Sequence, residues 1–281
     1  MSEYKMTAKQ IMDFGQYLRT QEREGSTIEK YLHDVREFCV WVDGQAIDKK
    51  QTAHWKEHLT QSGLAPATVN GKIAALNGFL DFAGWQEYRV KPLRIQRRLF
   101  RDPSRELTKA EYEKLVQTAR RLHLERLALV IETICALGIR VSELRFVTVE
   151  ALRMGRTEIA LKGKIRTIML PGKLCRKLLK YAKQQKIASG EVFLTRSGRS
   201  LSRKQIWAEM KALCGKAGVD ATKVFPHNLR HLFARCFYHA CRDIARLADV
   251  LGHSSIETTR IYLISSGIEH AKTLEALRLI L

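Results

Sequence analysis

The chain has 281 residues, enough for two domains, with an ordinary 45% of hydrophobic residues and a formal charge of +20 from 49 basic against 29 acidic side chains. That charge exceeds what solubility needs and points to a polyanionic partner, of which nucleic acid is the simplest. The N-terminus is polar and no apolar run approaches the roughly 20 residues of a spanning helix, while six cysteines without a CxxC pair suit free, buried thiols. We therefore expect a cytoplasmic protein, neither secreted nor membrane-inserted.

Residues 1–90 read as a helical bundle. Thr7 caps a helix carrying Ile11, Phe14, Tyr17 and Leu18, and Ser26 with Glu29 forms a capping box before Ile28, Leu32, Val35 and Phe38. Thr52 begins a shorter helix with Trp55 and Leu59, ended by Gly63, and Thr68 begins the stripe Val69, Ile73, Leu76 and Leu80, ended near Gly84. Four helices with short polar joints pack as a bundle. Residues 91–105 form a basic linker with Lys91, Arg94, Arg97, Arg98 and Arg101; Pro92 and Pro103 favour extended chain there.

The second domain spans 106–281. Thr108 and Glu111 make a capping box, and the almost wholly apolar stretch Leu127 to Leu137 predicts a buried helix closed by Gly138. Arg140 starts the next short helix with Glu143 three residues on, which suits either a plain ion pair or a phosphate-binding guanidinium that the carboxylate orients. Runs 157–161 and 165–170 predict a hairpin turning at Lys162, Gly163 and Lys164, and Val192 to Thr195 a further strand. Ser202 opens a helix with Ile206, Met210 and Leu213 inside and Arg203, Lys204 and Lys211 on a polar, DNA-facing side. Pro226 begins a helix on which His227 and Arg230 share a face. A short helix from Asp243 stops at Gly252, leaving His253 on a connection, and Ser254 with Glu257 opens a third helix bearing Thr259 and Tyr262.

An imidazole, a guanidinium, a second imidazole and a phenol thus fall in one compact unit, spaced HxxR, then LGH, then Tyr nine residues later. This pattern resembles the C-terminal signature of the tyrosine recombinases, the phage integrase family. Upstream, the stretch from Cys135 to Leu144 resembles the family's first arginine box, with Arg140 at the catalytic position and Glu143 as its acidic companion. The stretch from Leu161 to Pro171 resembles the lysine-bearing hairpin, one residue shorter than the usual GKGxKxR; Lys162 aligns with the catalytic lysine and Lys164 is the alternate.

The resemblance implies a mainly α, α+β fold: an N-terminal four-helix core-binding, SAM-like domain, and a mixed α/β catalytic domain with a small antiparallel sheet. It also implies metal- and ATP-independent cleavage through a 3′-phosphotyrosine, with no cofactor. The partner implied is double-stranded DNA, two sites of which are held by a homotetramer, alone or with a second recombinase or accessory factor. Its tail helix, 267–281, would dock on a neighbouring protomer, and the length suits an Xer-like or mobile-element recombinase without an arm-binding domain.

The chemistry agrees with these assignments. Negative charge grows on a phosphodiester's non-bridging oxygens under attack, and the permanently charged forks of Arg140 and Arg230 can clamp it. Tyr262 needs a base to attack, and His227 is best placed, with His253 donating to the phosphate and the hairpin lysine protonating the leaving 5′ oxygen. Two rivals are a type IB topoisomerase, which commonly has lysine where His227 stands, and a catalytically inactive DNA-binding regulator, which predicts a lost catalytic position, whereas all six are occupied.

Overall fold

The computed structural model describes residues 4–95, 102–161, 164–263 and 275–277, and the chain divides into two compact units, Met1–Arg97 and Arg98–Leu281. Four helices build the first unit: α1 (Ala8–Thr20), α2 (Gly25–Val42), α3 (Lys49–Gln61) and α4 (Pro66–Phe82). Their apolar stripes meet around Phe14, Val35, Phe38, Trp55, Ile73 and Phe79, all fully buried or nearly so. Thr7 caps α1 in a capping box with Gln10.

The other three starts lie upstream of their expected positions. Helix α2 begins after Glu24 without a side-chain cap, so Ser26 lies inside it. Helix α3 is capped by Asp48, whose carboxylate accepts from Gln51 N at 2.7 Å, and Thr52 is a buried interior residue that donates to Tyr88 O. Helix α4 starts on Pro66, whose ring presets φ and whose missing N–H costs nothing there.

Chain leaving this bundle is held along α4. Asn77 accepts from Val90 N and donates to Val90 O, both at 2.9 Å, and two turns earlier Asn70 does the same to Leu93 at 2.7 and 2.9 Å. Residues 91–95 are non-helical, with Lys91 and Arg94 exposed, while Arg97, Arg98 and Arg101 lie outside the described residues.

In the second unit α5 (Lys109–Arg121), with its Thr108–Glu111 capping box, packs beside α6 (Glu125–Leu137). Helix α6 is buried almost all round, and α10 (Pro226–Cys241) packs across it. Between them run a 3-10 helix Val141–Phe146, α7 (Val149–Met154), the strands β1 (Arg156–Leu161) and β2 (Lys164–Met169), α8 (Gly172–Gln184) and α9 (Arg203–Ala217). After α10 come α11 (Ile244–Leu251) and the five-residue α12 (Ile256–Arg260). Strands β1 and β2 pair antiparallel in register Ile159 with Arg166.

Four expectations need correction. Tyr262 lies two residues past the end of α12 and not on that helix. Val192–Thr195 is not a strand: Val192 and Phe193 are buried, but only single bridges form, Thr148 with Glu191 and Leu194 with Ser200. The chain reverses at once, with Thr195 N bonded to Arg199 O at 2.7 Å, so no length remains for a ladder. The cap of α12 is Ser255, not Ser254, because His253 N still closes the end of α11 on Ala248 O and the next helix starts only after that closure. Finally, the six cysteines are free, yet only Cys175 and Cys214 are buried, and Cys236 is exposed. Of the tail 267–281, residues 275–277 are described, and Leu277 is exposed.

Candidate active site

Helix α10 presents His227, Arg230 and His231 along one stripe, at i, i+3 and i+4. Arg230 is 1% exposed, and its guanidinium joins two helix ends. Nη1 donates to Gly138 O at 2.5 Å, just past α6, and Nη2 to Leu251 O at 2.7 Å, the last residue of α11. These carbonyls lack intrahelical partners and lie at the negative ends of the helix dipoles, so the buried cation is held by them, with no carboxylate partner among the described residues. Burial, with Arg140 and Arg166 nearby, pushes the Arg230 pKa down, and Tyr262 opposes that shift. Its Nε is buried without a hydrogen-bond partner.

Nη2 of Arg230 also meets His253 Nε2 at 2.9 Å, while His253 Nδ1 lies 2.9 Å from Thr259 Oγ1. A guanidinium only donates, so Nε2 is the acceptor and Nδ1 carries the proton, donating to Thr259. Burial, then Arg230, Arg140, Arg166 and His227, push the His253 pKa down to about 4. Because the folded value lies below the ordinary 6.5 of a free imidazole, acid protonates the unfolded chain first. Stability contributed by neutral His253 is complete above pH 6.5 and falls as the pH drops towards about 4. Thermal melts between pH 7 and 4 should show that loss, and His253→Gln should flatten it.

Tyr262 is 5% exposed, and its ring lies among three imidazoles. The centroid separations are 4.3 Å to His231, 5.5 Å to His253 and 5.8 Å to His227. Arg140 precedes the 3-10 helix and is half-exposed; its Nη1 donates to Glu143 Oε1 at 3.0 Å and its backbone N to Glu143 Oε2 at 2.6 Å. The two readings of this pair are compatible, since Glu143 holds Arg140 while leaving it at a cleft. That cleft, of about 630 Å³, is lined among others by Arg140, Ser142, Arg203, Lys204, Trp207, His227 and Arg230.

Thus the expected residues Arg140, Glu143, His227, Arg230, His253 and Tyr262 come together, and Arg203 and Lys204 at the start of α9 join them at the cleft. Lys162 lies outside the described residues, Lys164 is the first residue of β2, paired with Leu161, and Lys91 and Arg94 belong to the other unit. Sequence reasoning missed Arg166, which donates from Nη2 to Glu143 Oε2 at 2.6 Å and from Nη1 to Val250 O at 2.8 Å. Its signal was an arginine in strand alternation opposite Ile159. It also missed His231, which shares the helix stripe of His227, and Trp207, half-exposed in the cleft. Among the described residues, His33, Asp34 and Glu37 could offer metal donors within 4.8 Å of one another, but Lys30 and Lys72 pair with Asp34, and Lys72 also with Glu37.

Residues 105–267 match the phage integrase family profile, and residues 11–87 match its N-terminal SAM-like domain. The chain is 26% identical to tyrosine recombinase XerA of Pyrococcus furiosus, covering 99% of both chains. It is 29% identical to tyrosine recombinase XerD of Xanthomonas campestris pv. campestris, covering 89% of this chain and 85% of that one. In fold it is similar to XerH site-specific recombinase bound to its difH substrate, with a TM-score of 0.67 at 19% identity over 97% of this chain and 90% of that one. It is also similar to a lambda integrase tetramer bound to a Holliday junction, with a TM-score of 0.73 at 17% identity over 92% and 77%. The first profile alone spans more than half of the chain and all of the motif residues gathered above, so the chain belongs to the phage integrase family: it is a site-specific tyrosine recombinase, an enzyme that breaks and rejoins DNA.

Proposed function

We propose that the cleft binds one scissile phosphate of a duplex core site and that Tyr262 attacks it, forming a 3′-phosphotyrosyl bond and releasing a 5′ hydroxyl. Arg140 and Arg230 bind the non-bridging oxygens, His227 accepts the phenolic proton, and Lys162 protonates the leaving oxygen. The single observation that carries the reading is the Nε of Arg230, a buried donor on a permanently charged group, unpartnered in a side chain that lines the cleft. A phosphate oxygen is the natural acceptor for it.

His253 also binds the phosphate in this scheme. Its Nε2 must then leave Arg230 and carry the proton, and Nδ1 becomes the acceptor. Thr259 permits the exchange because a hydroxyl donates as readily as it accepts. Residues 1–90, within the first unit, serve as the core DNA-binding domain, residues 91–105 as a linker along the backbone, and 106–281 as the catalytic domain. Four protomers hold two sites and exchange strands through a Holliday junction; the lambda integrase tetramer on such a junction supports this assembly.

The test uses a nicked suicide duplex carrying the site that the wild-type chain selects from a random-sequence library. Wild type should accumulate a covalent adduct on a denaturing gel, and Tyr262→Phe should bind equally and give none. An adduct that persists in Tyr262→Phe, or none with wild type, would sink the proposal.

A further inference from the structure

Arg166 is 13% exposed on β2, and one guanidinium serves two acceptors, Glu143 Oε2 at 2.6 Å and Val250 O at 2.8 Å. Its stem passes so close to the backbone after α11 that a Cβ on Gly252, where φ is +66°, would lie 2.6 Å from Arg166 Cδ. The side chain therefore ties three segments together: the hairpin, the 3-10 helix that follows Arg140, and the end of α11 that supplies Leu251 O and His253 to Arg230.

Glu143 is 1% exposed and accepts from Arg140 N, Arg140 Nη1 and Arg166 Nη2. A buried carboxylate shared between two guanidiniums divides its attraction between them. Without Arg166, the whole of that attraction would fall on Arg140 and draw it away from the cleft, and Val250 O would lose its partner as well.

We infer that Arg166 is a positioning residue for the phosphate clamp, setting Arg140 through Glu143 and holding the His253 end of α11 in the same frame. The inference rests on the proposed role of Arg140 and Arg230. Neither acceptor of Arg166 is substrate, so its effect should be felt in the rate of cleavage and not in the affinity for DNA.

The experiment is a double-mutant cycle on single-turnover adduct formation at saturating suicide duplex, with binding followed by gel shift. Arg166→Met should bind within about threefold of wild type but cleave about 100-fold more slowly, the size of effect that misplacing a reacting group by an ångström produces. In an Arg140→Lys background the same substitution should cost clearly less than about 100-fold, because only the hold on the His253 end of α11 is then left to lose. Equal losses in both backgrounds, or no loss in either, would overturn the inference. Arg166→Lys, which can reach one of the two acceptors, should recover part of the rate, and it replaces the methionine variant in the cycle if melting shows that variant unfolded. Absence of any Tyr262-dependent adduct with wild type would instead fail the reading of the site itself.

Discussion

Arg230→Met is expected to remove covalent cleavage and weaken the second unit at once. The substitution leaves Gly138 O and Leu251 O unpaired in the interior, at about 1–3 kcal/mol each, so a loss of about 3 kcal/mol is expected. Hydrogen exchange of α6 and α10 peptides reads this unit separately from the first. The adduct rate should fall by at least about 1000-fold, since a donor aimed at developing oxyanion charge is lost. Arg230→Lys separates the two effects. A lysine keeps the charge and part of the carbonyl bonding but has no planar fork, so stability should recover more than rate. Cleavage by Arg230→Lys near the wild-type rate would end the clamp reading.

The second large effect is Gly138→Ala. Gly138 closes α6 at φ +61°, and a Cβ there would stand 2.2 Å from Phe233 Cδ1 on α10. Left-handed strain of about 1 kcal/mol adds to overpacking of about 1–3 kcal/mol, giving about 3 kcal/mol in total. Because α6 and α10 would be pushed apart where Gly138 O meets Arg230, cleavage should fall as well. Making the change in a Phe233→Ala background should leave only the strain, about 1 kcal/mol. A Gly138→Ala protein within about 0.5 kcal/mol of wild type would show that the close approach does not constrain the fold.

What the sequence determined by itself are the features whose physics is local. The Thr108–Glu111 capping box, the buried character of α6, the stops at Gly138 and Gly252, and Pro226 at the first turn of α10 each depend on a few neighbouring residues. So does the stripe that puts His227 and Arg230 on one face. The motif spacing carried the family because catalysis demands particular side chains in a fixed order along the chain.

Helix starts at Glu24, Asp48 and Ala65 were displaced from the expected ones because local signals compete: Asp48 caps α3 ahead of Thr52, Pro66 opens α4 ahead of Thr68, and α2 begins with no side-chain cap at all. Val192–Thr195 carries strand-like residues, but a strand also needs a partner backbone, and the turn at Thr195 denies it one. Tertiary structure alone decided the partners of Arg230, which among the described residues are two carbonyls from helices far apart in sequence and the imidazole of His253, with no acidic side chain. It alone joined Arg166 to Glu143, since strand alternation can set the face Arg166 occupies but not its partner on a 3-10 helix 23 residues away. The types and spacing of the reactive groups are therefore written along the chain, while their bonding, burial and protonation arise only where separate helix ends converge on one guanidinium.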